Sequence, residues 1–477
     1  MQHPEKGLRT EDRGREGSLA PGAAFGFAVG DFGLNLYWQG LGLFLVYFHT
    51  DVLGVPAAWA GLAYLVASVW DGISDPLLGL VADRNRTRWG RYRPFLLFGS
   101  VPLALAFVLA FSAPRLPQPA LFGYALATQL LVRTLYNALA IPYSSLSAAM
   151  TRDSAMRTTL SGLRMQCAFA GGLAVAWLMP ALAQALAPTL GRAAHSLAAA
   201  IVGVLATASF LWCFAAVREP QDEDHGSTAA AQLKLLPEIR ACLHAVSGNT
   251  PLLRLLAARF AVAFAQTMHI RNTMYFLKYV LGDTGLAPYA LPLFAALSLL
   301  SVPLWVRLIR RHGKRGAWQS ACVLSLLCAL GLHLPAALRP ACAMALLGAF
   351  AAGTTGHGVC FWAMLPDTVE YSEWRFGRRD EAKVFGIASL TQKLAMGLSA
   401  FAAGLLLDGA GFVANQAQGA GAVEAIRASL GLIPALGMAL SMLLMRGYSL
   451  DQAEHRRILD ALAARRANAL GRGRPDD

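Results

Sequence analysis

Twelve apolar stretches, each long enough to cross a bilayer, constrain this chain more than any other feature. A helical span needs about 20 predominantly apolar residues. Such runs occupy 22–48, 56–82, 95–113, 119–148, 160–186, 196–217, 251–281, 287–308, 317–334, 341–365, 384–411 and 424–445. Backbone inside hydrocarbon must satisfy its own hydrogen bonds, and runs of this length do so as helices rather than barrel strands. The expected fold class is therefore an all-α membrane protein with twelve transmembrane helices. Charged residues make up 14% of the chain, against roughly 25% in soluble domains, which excludes a string of soluble domains. The formal net charge of +13 could suggest nucleic acid, but its basic residues gather at the ends of apolar runs. The bilayer is therefore the expected partner, and nucleic acid is not.

The connections alternate in Lys and Arg. Residues 49–55 and 282–286 have none, whereas Arg84, Arg86, Arg88, Arg91 and Arg93 crowd the loop after the second run. Arg310, Arg311, Lys314 and Arg315, and later Arg375, Arg378, Arg379 and Lys383, repeat that pattern. By the positive-inside rule both termini are cytoplasmic in an inner membrane. The expected organisation is a cytoplasmic tail (1–21), six helices (22–217), a polar cytoplasmic loop (218–250), six helices (251–446) and a cytoplasmic tail (447–477). The halves echo each other, since YFHTDVLG at 47–54 returns as YFLKYVLG at 275–282, 228 residues on. Parallel six-span repeats are the mark of a large class of secondary transporters, with the site near the membrane midplane. Pro76, Pro142 and the cluster Gly353, Gly356 and Gly358 fit either a moving protein or close helix packing.

Polar residues inside the runs are where function is expected. Asp71 and Asp75 are spaced i, i+4 and project from one helix face. A carboxylate at the membrane centre costs about 2.5–3.5 kcal/mol on insertion scales, so a pair implies a bound cation or a cavity. Oxygen ligands of this kind suit a small hard cation, which would make Asp71 and Asp75 metal ligands for Na+. Two adjacent carboxylates also hold a proton readily, so Na+ and H+ are both open as coupling ion. No other cofactor is expected. Arg133 lies mid-span, too deep to snorkel. It either pairs with Asp31 or joins Lys393 and Arg164 in a cationic pocket suited to an anionic substrate. Arg271 and His269, in the outer part of their run, can snorkel. Trp38 is the favoured platform for a sugar ring, Gln392 a further polar contact, and His357 a hydrogen-bonded packing residue. At the inner helix ends Asp83, Arg84 and Arg91 are expected to gate, with Asp367, Glu370 and Arg379 as the corresponding latch in the second half. No nucleophile–base motif, phosphate loop or HExxH helix is present, so an enzyme is not expected.

The segments GDFGLNL (30–36), FHTDVLG (48–54), WDGISDPLLGLVADRNRTRWGRYRPFLL (70–97), AIPYSSL (140–146) and PDTVEYSEWRFGRRDEAKVFGIASLTQKLA (366–395) resemble the glycoside–pentoside–hexuronide:cation symporters. That family is a branch of the major facilitator superfamily. The resemblance implies two six-helix bundles, alternating access and symport of a sugar or sugar derivative by a protein expected to act as a monomer. A lysolipid or other amphiphile carrier is the alternative. It also implies a cation site from Asp71, Ser74, Asp75 and Asn137. Lys393 matches an intramembrane lysine near both sites, and Arg164 an arginine bordering the sugar pocket. The family's two sugar-gripping aspartates fall on Asn35 and Ala140 here, with Asp31 one turn before Asn35. A galactoside substrate is thereby put in doubt.

Overall fold

The computed structural model describes residues 21–150, 154–217, 248–335, 339–377 and 381–471. Among them the chain is helical throughout, without a sheet. The helices are α1 (Pro21–Tyr47), α2 (Ala57–Arg84), α3 (Arg93–Ala110), α4 (Gln118–Met150), α5 (Ser154–Leu190) and α6 (Ala193–Ala216), then α7 (Thr250–Tyr275), α8 (Ala287–Gly331) and α9 (Pro340–Phe376). They continue with α10 (Glu381–Gly409), α11 (Ala420–Leu430), α12 (Leu432–Arg446) and α13 (Gln452–Gly471). Every expected span falls on a helix. α8 carries two of them, because Gly313 breaks the helix with φ 73° and ψ 169° inside the basic RRHGKRG segment. The last span is divided at Gly431 into α11 and α12. The tails and central loop fall largely or partly outside the described residues.

Seven helices among the described residues are long and apolar enough to cross a membrane by length and composition alone. α1, α2, α4 and α7 are not among the seven, and these four carry Asp31, Asp71, Arg133 and Arg259.

The sequence echo has a structural counterpart. Phe48–Val52 and Phe276–Val280 each form a π-helical turn that widens the end of its helix. Leu53 N–H donates to Phe48 O at 2.9 Å, and Leu281 N–H to Phe276 O at 3.0 Å. Both turns then close on a glycine with positive φ, Gly54 at 83° and Gly282 at 71°, a conformation that costs any residue with a Cβ.

The described residues fall into two compact units. One lies within Met1–Gly54 and Trp70–Gly226, the other within Val55–Val69 and Ser227–Asp477. In the first, α1 packs on α5 and α6, and α3 on α4 and α6. Contact between α1 and α5 is close because Gly171 has no Cβ; one built there would lie 2.4 Å from the Phe32 carbonyl oxygen. In the second unit, α7 packs on α10 and α12, and α9 on α8. Asn249 starts α7, accepting from Leu252 N–H at 3.0 Å and donating to Thr368 O at 2.9 Å. Two of the three clustered glycines on α9 serve packing. A Cβ on Gly353 would meet Ser325 Oγ at 2.4 Å and one on Gly356 the Trp305 ring at 2.6 Å, while Gly358 faces open space. The first turn of α2 belongs to the second unit, where Asp408 of α10 accepts from Ala57 N–H and Ala58 N–H, each at 2.9 Å.

Candidate functional site

In the first unit, α2 and α4 meet through a buried charge cluster. Asp71 is 1% exposed and Arg133 5%. Arg133 Nη1 forms an ion pair with Asp71 Oδ2, and Asn137 Nδ2 donates to Asp71 Oδ1 at 2.9 Å. Arg133 and Asn137 share a face because they lie one helical turn apart. Trp70 reinforces the crossing by donating its Nε1–H to Thr134 Oγ1 at 2.8 Å. Ser74 is buried, and its hydroxyl has no hydrogen-bond partner among the described residues. Asp75 is half-buried on the same helix. The Arg133 guanidinium lies 6.0 Å from the centre of the Trp38 ring, which in turn lies 5.7 Å from that of Tyr136.

A second cluster ties α1 to α4 and α5. Arg164 donates through Nε to Asp31 Oδ2, and the Tyr143 hydroxyl stands 2.9 Å from the same oxygen and 2.7 Å from Phe27 O. The Arg164 guanidinium also covers the Tyr143 ring at 5.1 Å. Asn35, where the resembling family carries an aspartate, turns its amide back along α1 to Asp31 O at 2.9 Å.

These pairings correct the sequence reading at two points. Arg133 does not pair with Asp31; it pairs with Asp71, and Asp31 pairs with Arg164. Of the three residues expected to make a cationic pocket, Arg133 and Arg164 each face a carboxylate of their own unit, and Lys393 belongs to the second unit. The physical reason is economy of buried charge: each guanidinium lies where a neighbouring helix offers an opposite charge. Arg271 and His269 do not snorkel either, because both are buried among aromatic and backbone contacts. Arg271 is 5% exposed with its guanidinium 3.7 Å from the Tyr64 ring centre. His269 stacks on Phe350 at 3.8 Å and is hydrogen-bonded to Leu430 O at 2.8 Å. His357 is buried beside Cys322 Sγ, at 3.2 Å.

Lys393 and Gln392 belong to α10 in the second unit, both half-buried. Gln392 Oε1 accepts from Arg259 Nη2 of α7 at 2.9 Å. Arg259 is 7% exposed, and sequence reasoning passed over it because no motif surrounds it. The signal that finds it is the internal repeat, which sets Arg259 228 residues after Asp31.

The gating residues divide. Arg84 and Arg91 are exposed, while the Asp83 side chain and Arg379 lie outside the described residues. Asp367 holds Lys314 Nζ at 2.6 and 2.8 Å, and Glu370 pairs with His455 Nε2. The latch expected to involve Arg379 is thus, among the described residues, a clamp that ties α8 and α13 to α9. Ligand atoms of Asp367, Glu370 and His455 gather within 4.8 Å, but the Lys314 ammonium already neutralises the buried carboxylate there.

Apolar helices holding buried, paired charges mark a polytopic membrane protein, and the comparisons with known proteins give its class as a transporter, not an enzyme. The family model described as MFS/sugar transport protein matches residues 26–452. The chain belongs to that family, and its fold is the all-α major facilitator architecture. It is 29% identical over 445 residues to the isoprimeverose transporter of Lactiplantibacillus pentosus, covering 91% of this chain and 90% of that protein. It is 30% identical over 459 residues to a putative sulfoquinovose importer of Salmonella typhimurium, covering 94% and 93%. Among solved structures, a bacterial homologue of the human lysosomal transporter Spinster, inward-facing and unoccupied, superposes with a TM-score of 0.69 at 14% identity. That match covers 90% of this chain and 98% of the other, and shows the fold.

Proposed function

We propose that this protein is a cation-coupled symporter of a sugar or sugar derivative, with its coupling ion handled at the α2–α4 cluster. It works by alternating access in the inner membrane, as a monomer with both termini cytoplasmic; the Lys and Arg bias of the loops supports that orientation. Relatives named for sugars support the substrate class over an amphiphile.

The observation that carries the coupling reading is the Asp71–Arg133–Asn137 cluster. Both Asp71 oxygens accept from N–H donors, so Arg133 stands where a cation would otherwise neutralise Asp71. Asp75 lies one turn on along the same helix, with Ser74 between, and is the carboxylate to which the coupling ion is assigned. One carboxylate and one hydroxyl form a meagre oxygen cage for Na+ but an ordinary site for a proton. The proton is therefore the favoured coupling ion. Ion and substrate bind cooperatively because each stabilises the same occluded state, a coupling that is reciprocal.

The test is uptake into proteoliposomes of a panel of neutral and anionic sugars, under a proton gradient, a sodium gradient or neither. Wild type should accumulate a sugar above the external concentration under the proton gradient, and Asp75→Asn should only equilibrate it. Accumulation retained in Asp75→Asn removes the proposed ion site. Accumulation driven by sodium alone replaces the proton.

A further inference from the structure

We infer that Arg259 and Gln392 form a recognition site for the negatively charged group of a sugar acid, a carboxylate or sulfonate. The inference rests on the sugar-symport reading and names the substrate class within it.

The two π-helical turns set the register at 228 residues. At that offset Asp31 corresponds to Arg259 and Arg164 to Gln392, and each pair is in contact across helices that correspond, α1 with α5 and α7 with α10. The fold has thus built one side-chain pair twice, with opposite chemistry. In the first unit a carboxylate neutralises a guanidinium. In the second the guanidinium has moved to the other helix, and an amide stands where its partner would be. An amide orients an arginine through one hydrogen bond without cancelling its charge.

Arg259 consequently carries an uncompensated positive charge. No carboxylate among the described residues forms an ion pair with it, whereas Arg133, Arg164 and Lys314 each face one. Its Nε has no hydrogen-bond partner, and the Phe361 ring 5.2 Å from the guanidinium carbon offers only a weak substitute. Arg259 lies nine residues into α7, about 14 Å along the axis at a rise of ~1.5 Å per residue, and is 7% exposed. A buried guanidinium without counter-charge is among the most costly arrangements a membrane protein can hold, and its usual resolution is an ionic partner. The planar N–H fork of arginine matches the oxygens of a carboxylate or sulfonate. The relatives are named for an uncharged sugar in one case and a sulfonated sugar in the other, so charge is a property on which members of the family must select.

The test uses the purified full-length protein and follows thermal unfolding with methyl glucuronide, sulfoquinovose and methyl glucoside. The last carries an uncharged hydroxymethyl group where the first carries its carboxylate. A charge-assisted hydrogen bond is worth roughly 10- to 150-fold in affinity, so at least one acid should bind wild type more tightly than the glucoside by that factor. Arg259→Gln should abolish the preference and Arg259→Lys keep part of it. Without ligand, Arg259→Gln should unfold at or above the wild-type temperature, because it removes an unpaired charge; a structural arginine would lower it. The inference is overturned if no acid is preferred, if Arg259→Gln keeps the preference, or if its ligand-free form is less stable. Mixed micelles with and without phosphatidylglycerol form a further arm, and displacement of the acids by that lipid would assign Arg259 to lipid instead. Gradient-driven uptake is read separately. Accumulation of methyl glucoside with no acid preference removes only this inference, and acid binding through Arg259 without accumulation of any sugar removes only the symport reading.

Discussion

Asp71 and Arg133 offer the sharpest energetic test, since their pairing was not the one expected and both side chains are almost wholly buried, at 1% and 6% exposure. Solvent screening, which reduces surface ion pairs to below about 1 kcal/mol, does not operate at this depth. The perturbation is a double-mutant cycle of Asp71→Asn, Arg133→Gln and both together. Asn at 71 keeps the shape of the side chain and a contact for Asn137 but withdraws the charge that faces Arg133. Removing one member of a buried pair costs about 3–5 kcal/mol, whereas replacing both by neutral groups is close to neutral. Each single variant should therefore unfold about 3–5 kcal/mol more easily, and the double variant within about 1 kcal/mol of wild type, giving strong positive coupling. Unfolding in mixed micelles of increasing denaturing detergent, followed by tryptophan fluorescence, provides the free energies. Additive costs, with a coupling below about 1 kcal/mol, would refute the pairing and restore Arg133 to the candidates for substrate charge.

Two further substitutions test the packing of α2 on α10. Gly404→Ala places a Cβ 2.2 Å from the Ala57 carbonyl oxygen, a backbone atom that cannot step aside, so the substitution should destabilise by about 1–3 kcal/mol. Gly409→Ala, with nothing within 4 Å of its Cβ, serves as the control in the same unfolding assay and should be neutral; equal losses at both would refute the close contact. Asp408→Ala removes the acceptor of Ala57 N–H and Ala58 N–H and should cost about 0.5–2 kcal/mol, as loss of a helix cap does. Faster hydrogen exchange at those two amides should report it, and unchanged exchange would show that Asp408 does not cap α2.

The spans were legible because each rests on its own run of apolar residues, and hydrocarbon imposes helix on any such run regardless of its neighbours. The repeat was legible for a similar reason, since two local segments fold into the same π-helical turn wherever they are placed. The location of buried charge was legible too. Asp71, Asp75 and Arg133 stand out in apolar surroundings because insertion penalises them one residue at a time.

Pairing was a different matter. Whether Arg133 meets Asp31 or Asp71 depends on which helix packs against α4 and at what height, and the sequence reading offered Asp31 alone as its partner. Close α1–α5 contact, permitted by Gly171, brings Arg164 to Asp31, and the α2–α4 crossing brings Arg133 to Asp71. Arg259 illustrates the limit most clearly, because no motif in the sequence marks it out from the many other arginines of this chain. Its lack of a counter-charge is a property of three packed helices rather than of any motif. Sequence by itself determined that this chain crosses a membrane as a twice-repeated helical transporter, because hydrophobic burial acts through local patterns. Only the tertiary structure decided which buried charges meet an opposite charge, because electrostatic pairing in a low-dielectric interior acts through distances that separate helices set together.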